Sequence, residues 1–119
     1  MDLAKVLLGH NANAKFVNAR DDNHKTPLHW ATQHGHLKIV QFLLDNGGDI
    51  GALDDYNATP LHLASMNGYL EVVQLLLESN AKVNSQDDYQ KTPLDWAEEG
   101  KFSLVVRVLK EKEYCVDKS

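Results

Sequence analysis

The chain has 119 residues, 43% of them hydrophobic and 24% charged, with twelve basic against seventeen acidic side chains and a formal net charge of −5. That length suits one domain with a modest core, and the charged fraction is that of folded rather than disordered proteins. The acidic balance opposes nonspecific binding to nucleic-acid phosphates or anionic lipid, and no apolar run approaches the ~20 residues needed to cross a bilayer. The N-terminus, Met1-Asp2-Leu3-Ala4-Lys5, lacks the pattern of a signal peptide. The single cysteine, Cys115, can close no intrachain disulfide and suits a reducing compartment. The expectation is a monomeric cytoplasmic protein, the nucleus being the other compartment open to it, with no cofactor, metal, membrane or nucleic-acid partner.

In chain order, residues 3–8 read as the end of a helix that has no first helix before it, followed by a longer loop over Asn11 to Phe16. The chain is therefore expected to begin mid-repeat, as a fragment of a longer array or with a partial cap. Three segments then begin alike: Thr26-Pro27-Leu28-His29-Trp30-Ala31, Thr59-Pro60-Leu61-His62-Leu63-Ala64 and Thr92-Pro93-Leu94-Asp95-Trp96-Ala97, their threonines 33 residues apart. An Asp pair precedes each at the same offset: Asp21-Asp22, Asp54-Asp55 and Asp87-Asp88.

Thr-Pro predicts a helix start, the hydroxyl capping an orphan N–H and proline sitting where its missing donor costs nothing. Gly35 and Gly68 predict left-handed stops of a short first helix. Apolar residues at helical spacing follow, such as Leu70, Val73 and Leu77 with Val72 and Leu76 beside them, and predict a second helix. Asn46-Gly47-Gly48 and Ser79-Asn80 end it. In the last unit Gly100 comes one residue early, Asp95 stands in place of histidine, and Tyr114 to Ser119 read as a frayed tail. A pair of helices this short is marginal alone, so the units are expected to stack and to bury Leu28, Leu61 and Leu94 between neighbours.

A 33-residue period carrying Thr-Pro-Leu-His-x-Ala resembles the ankyrin repeat, over essentially all of residues 17–109. The resemblance implies an all-α repeat solenoid in which helix-turn-helix pairs are joined by β-hairpin loops, and a concave face that binds other proteins. The expected division is a partial repeat over 1–20, repeats over 21–53 and 54–86, and a capping repeat with its tail over 87–119.

Residues able to carry chemistry read as structural. The resemblance implies that His29 and His62 bond near the helix start and tie neighbouring repeats together. His34-Gly35-His36 offers half a metal site without further ligands at coordinating spacing. Asp21, Asp54 and Asp87 are expected to brace their turns, and Cys115 has no base beside it in sequence. Trp30 and Trp96 share the position of Leu63 and are expected to pack between helices.

Carried over residue by residue, the family's contact positions are Asp22, Asn23, Lys25, Gln33 and His34 in the first full repeat. The second supplies Asp55, Tyr56, Ala58, Met66 and Asn67, and the third Asp88, Tyr89 and Lys91 with Glu98 or Glu99. Asp22, Asp55 and Asp88 would form a carboxylate ladder beside Tyr56 and Tyr89. That pattern suits a protein or peptide ligand with basic residues and an apolar anchor; the other reading is that the acids solvate the fingers. A noncatalytic interaction module is the leading expectation, and a structural or spacer segment of a longer array the second.

Overall fold

Each Thr-Pro begins a helix for the same local reason. Thr26 Oγ1 accepts the N–H of His29 while His29 Nδ1 accepts the N–H of Thr26, closing a reciprocal cap. Thr59 and His62 repeat it, and Thr92 and Asp95 build it with a carboxylate. The computed structural model describes residues 17–118, with side chains through Glu113; the expected helix end at residues 3–8 and loop over Asn11 to Phe16 lie outside them. Among the described residues six helices follow in order: α1 (Pro27–Gln33), α2 (Leu37–Asp45), α3 (Pro60–Met66), α4 (Leu70–Glu78), α5 (Pro93–Glu99) and α6 (Ser103–Lys118).

The units stack in register, α1 on α3 on α5 in one layer and α2 on α4 on α6 in the other. Leu28, Leu61, Val73 and Leu76 are wholly buried between them, each contributing about 1.5–3 kcal/mol by the area it removes from water. Leu94, in the last unit, is only half-buried. Ser65, inside α3, buries its hydroxyl without a partner among the described residues.

The short first helices stop at left-handed residues, Gly35 (φ +71°) and Gly68 (φ +74°). In the last unit Gly100 is an ordinary cap at φ −79° and Lys101 takes the left-handed place at φ +61°. The early glycine therefore does not do what Gly35 and Gly68 do. The expected frayed tail is also corrected, because α6 continues as helix to Lys118; no turn residue interrupts the sequence there.

Tight loops join the units. The N–H of Asp21, Asp54 and Asp87 donates to the carbonyl of Lys25, Ala58 and Lys91, at 3.0, 3.1 and 3.0 Å. These are hairpin turns without extended arms, and among the described residues no strand forms. Adjacent fingers are joined by Asp55 N–H to Asn23 O (3.1 Å) and Asp88 N–H to Tyr56 O (2.8 Å). Among the described residues no helix is long and apolar enough to cross a membrane.

Candidate concave binding face

The fingers are rigid because each leading aspartate satisfies its own turn. Asp21 Oδ1 accepts the N–H groups of Asn23 (2.8 Å) and Lys25 (2.9 Å). Asp54 does the same for Tyr56 and Ala58, and Asp87 for Tyr89 and Lys91. The Lys25 N–H is the main reason the Asp21 carboxyl titrates below its ordinary value, with the Trp30 and Asn23 N–H groups adding to it. The fingertips His24, Asn57 and Gln90 are left-handed, with φ near +60°.

Two of those tips hold the next finger. His24 Nδ1 pairs with Asp55 Oδ1, and Asn57 Nδ2 donates to Asp88 Oδ1 at 2.7 Å. The expected carboxylate ladder thus has two of its three rungs already engaged in stitching repeats together. Asp22 is exposed beside them.

His29 and His62 bridge repeats as expected. A backbone N–H can only donate, so each Nδ1 accepts and each Nε2 carries the proton, donating to Ala58 O and Lys91 O at 2.9 Å. Burial pushes His29 below its ordinary value, against the pull of the Ala58 carbonyl.

The tryptophans depart from expectation. Trp30 is 39% exposed and Trp96 half-buried, whereas Leu63 is buried. The reason is the indole N–H: Trp30 Nε1 donates to Asp21 Oδ2 at 2.8 Å and Trp96 Nε1 to Asp87 Oδ2 at 2.7 Å. Those bonds hold the rings between finger and first helix, on the surface, rather than between helices.

Tyr56, Tyr89 and Trp96 then form an aromatic shelf. The two tyrosines stack at 6.1 Å between centroids, and Tyr89 meets Trp96 edge-on at 6.0 Å. Tyr56 and Tyr89 remain 57% and 61% exposed, a large apolar area for a rigid surface. A groove of about 410 Å³ runs below the shelf. Of the expected contact residues it gathers Lys25, Gln33, Tyr56, Ala58, Met66, Asn67 and Tyr89. Asp22, Asn23, Asp55 and Asp88 stand at or beside the fingertips instead, His34 stacks on Trp30 at 5.6 Å, and Lys91 pairs with Glu99 above Trp96. Sequence reasoning missed Asp54, Leu63, Asp87 and Trp96 as groove residues. The signal available was the column Trp30, Leu63, Trp96, whose polar members need a surface acceptor. Among the described residues no cluster of three histidine, cysteine or carboxylate ligands forms.

Comparison with known proteins gives a family model described as Ankyrin repeats (3 copies), which matches residues 1–54 and 46–119. The chain is 50% identical over 50 residues to the serine/threonine-protein kinase TNNI3K of Mus musculus, covering 42% of this chain and 6% of the kinase. It is 51% identical over 37 residues to ankyrin repeat domain-containing protein 49 of Homo sapiens, covering 31% and 16%. An ankyrin repeat-containing protein of Schizosaccharomyces pombe is 40% identical over 45 residues, covering 38% and 22%. The chain thus matches less than a quarter of the length of each of these relatives.

Proposed function

Because the chain belongs to the ankyrin-repeat family, whose repeats are generally protein-interaction modules, we propose that it is a noncatalytic module holding a protein or peptide partner on its fingertips and concave face. The observation that carries this reading is the shelf of Tyr56, Tyr89 and Trp96, the tyrosines presented on turns that the aspartates lock and the tryptophan on α5, tied to Asp87. Preorganised aromatic surface of this kind is where binding free energy concentrates, since little ordering entropy remains to be lost. The excess of acids, with the exposed Asp22 at the rim, favours a partner carrying basic residues beside an apolar anchor. A reducing cytoplasmic or nuclear setting suits the lone cysteine.

A second reading, a spacer within a longer array, is favoured by the small share of its relatives that the chain matches. Affinity capture separates the two. A protein held by the wild type and released by Tyr56→Ala/Tyr89→Ala, at unchanged melting temperature, supports the module; one held equally by both rules this shelf out.

A further inference from the structure

The middle repeat lacks three groups that its neighbours place together. In the first repeat Lys25 Nζ stands 5.1 Å from the Trp30 ring and donates to Gln33 Oε1 at 2.8 Å. In the third, Lys91 Nζ lies 4.3 Å from the Trp96 ring and pairs with Glu99. The aligned residues of the middle repeat are Ala58, Leu63 and Met66, and all three line the groove. A cation, a flat ring and the polar anchor of the cation are missing at once, and the groove is the space beside them.

A carboxylate borders that space. Asp54 lines the groove although only 6% exposed. Its Oδ1 is taken by the N–H groups of Tyr56 and Ala58, both at 2.9 Å. In the flanking repeats the other oxygen accepts an indole N–H, from Trp30 on Asp21 and from Trp96 on Asp87. Leu63 has no donor to offer, and among the described residues no group donates to Asp54 Oδ2. Ser65 Oγ is the one side-chain oxygen sealed from water without a partner among the described residues, so water still reaches Asp54 Oδ2, and a cationic donor can replace that water with a charge-assisted bond.

We infer that the groove is a socket for one arginine side chain of a protein or peptide partner, its guanidinium donating to Asp54 Oδ2 against the rings of Tyr89 and Trp96. The inference rests on the interaction-module reading above. Guanidinium supplies in one group both missing features, a planar N–H donor and a positive charge that favours aromatic faces. An ammonium is more strongly hydrated and loses more on entering a groove floored by Leu63 and Met66. A neutral indole would meet the oxygen and leave its charge uncompensated. Lys25, the cation on the groove's edge, is held by Gln33 and does not meet this oxygen. The net charge of −5 draws a cationic partner in.

The test uses the full chain, isotope-labelled and followed by amide and indole NMR. It is titrated with the peptide acetyl-Gly-Arg-Gly-amide and with the same peptide carrying neutral citrulline for arginine. Saturable shifts centred on Ala58, Leu63 and the Trp96 indole are expected, with the citrulline peptide weaker by about tenfold or more. Asp54→Asn keeps the Oδ1 acceptor of the turn and is expected to lose a comparable factor. Leu63→Trp with Ala58→Lys rebuilds the flanking arrangement inside the groove. That variant is expected to abolish binding and raise the melting temperature, and it decides the matter even where Asp54→Asn fails to fold. Equal binding of the two peptides, undiminished binding to the filled groove, or no saturable shifts would overturn the socket. A natural partner that needs Tyr56 and Tyr89 but ignores both groove variants removes the socket and leaves the module standing; one that ignores every variant removes both.

Discussion

His29 Nε2 donates to the carbonyl of Ala58, 2.9 Å away and 29 residues further along the chain. Ala58 closes the next finger just before the next Thr-Pro, so one imidazole holds its own helix start and positions its neighbour's. His62 does the same with Lys91. Asp95, third in the series, keeps the cap and makes no such bridge.

Replacing these residues with alanine is expected to separate the two roles. His29→Ala takes from the Ala58 carbonyl one of its two donors, the Asp54 N–H remaining, and leaves a void beside it together with a lost cap, a loss of about 2–3 kcal/mol. Asp95→Ala removes a cap alone and costs about 1 kcal/mol. Urea denaturation of the two variants measures the difference; equal losses would mean that the bridge contributes nothing.

Acid is expected to weaken the stack through the same histidine. Burial holds His29 below its ordinary value of 6.5 in the folded chain, so the unfolded chain binds the proton more readily. Stability is then full above that value, falls as the pH drops below it, and levels off beneath the folded value, with a slope of at most about 1.4 kcal/mol per pH unit from this group. Melting temperatures from pH 7.5 down to 5 test it, the slope shrinking in His29→Gln.

Left-handed residues give two opposite expectations. Lys101→Gly relieves a side chain at φ +61° and should stabilise by up to about 1 kcal/mol. Gly68→Ala should destabilise by more than about 1 kcal/mol, since an added Cβ at φ +74° would stand 2.5 Å from the Phe102 ring. Chemical denaturation reads both signs.

Ser65 differs from its counterpart Thr32, whose hydroxyl donates to Leu28 O and His29 O at 2.9 Å. Ser65→Ala is therefore expected to be neutral or to stabilise by about 1 kcal/mol, while Thr32→Ala destabilises. A thermal melt of each variant distinguishes them.

Much of the candidate site was legible before any coordinates. The bracing role of Asp21, Asp54 and Asp87 follows from residue type and position, the bridging role of His29 and His62 from the resemblance to ankyrin repeats, and the hydrogen bonds agree with both. The acidic ladder was misjudged because its bonds cross between fingers: nothing near Asp55 or Asp88 in sequence points to His24 or Asn57. Trp30 and Trp96 were misjudged because an apolar equivalent at Leu63 suggested burial, while the indole N–H needed an acceptor nine residues back. Lys25, Gln33, Tyr56, Ala58, Met66, Asn67 and Tyr89 were legible as contact positions, whereas Asp54, Leu63, Asp87 and Trp96 escaped notice, since the groove opens where a tryptophan and a lysine are missing rather than where a motif is present.

Repeat period, helix starts and stops, and the stacking of apolar faces were set locally, because caps, turns and helical spacing act over a few residues and recur with the 33-residue unit. Which polar atoms stayed available for a partner depended on three-dimensional assembly. Hydrogen bonds between adjacent repeats and between finger and helix satisfy most candidates and pass over Asp54 Oδ2. A linear pattern records which groups are present; whether a donor reaches a given acceptor depends on where folding puts it.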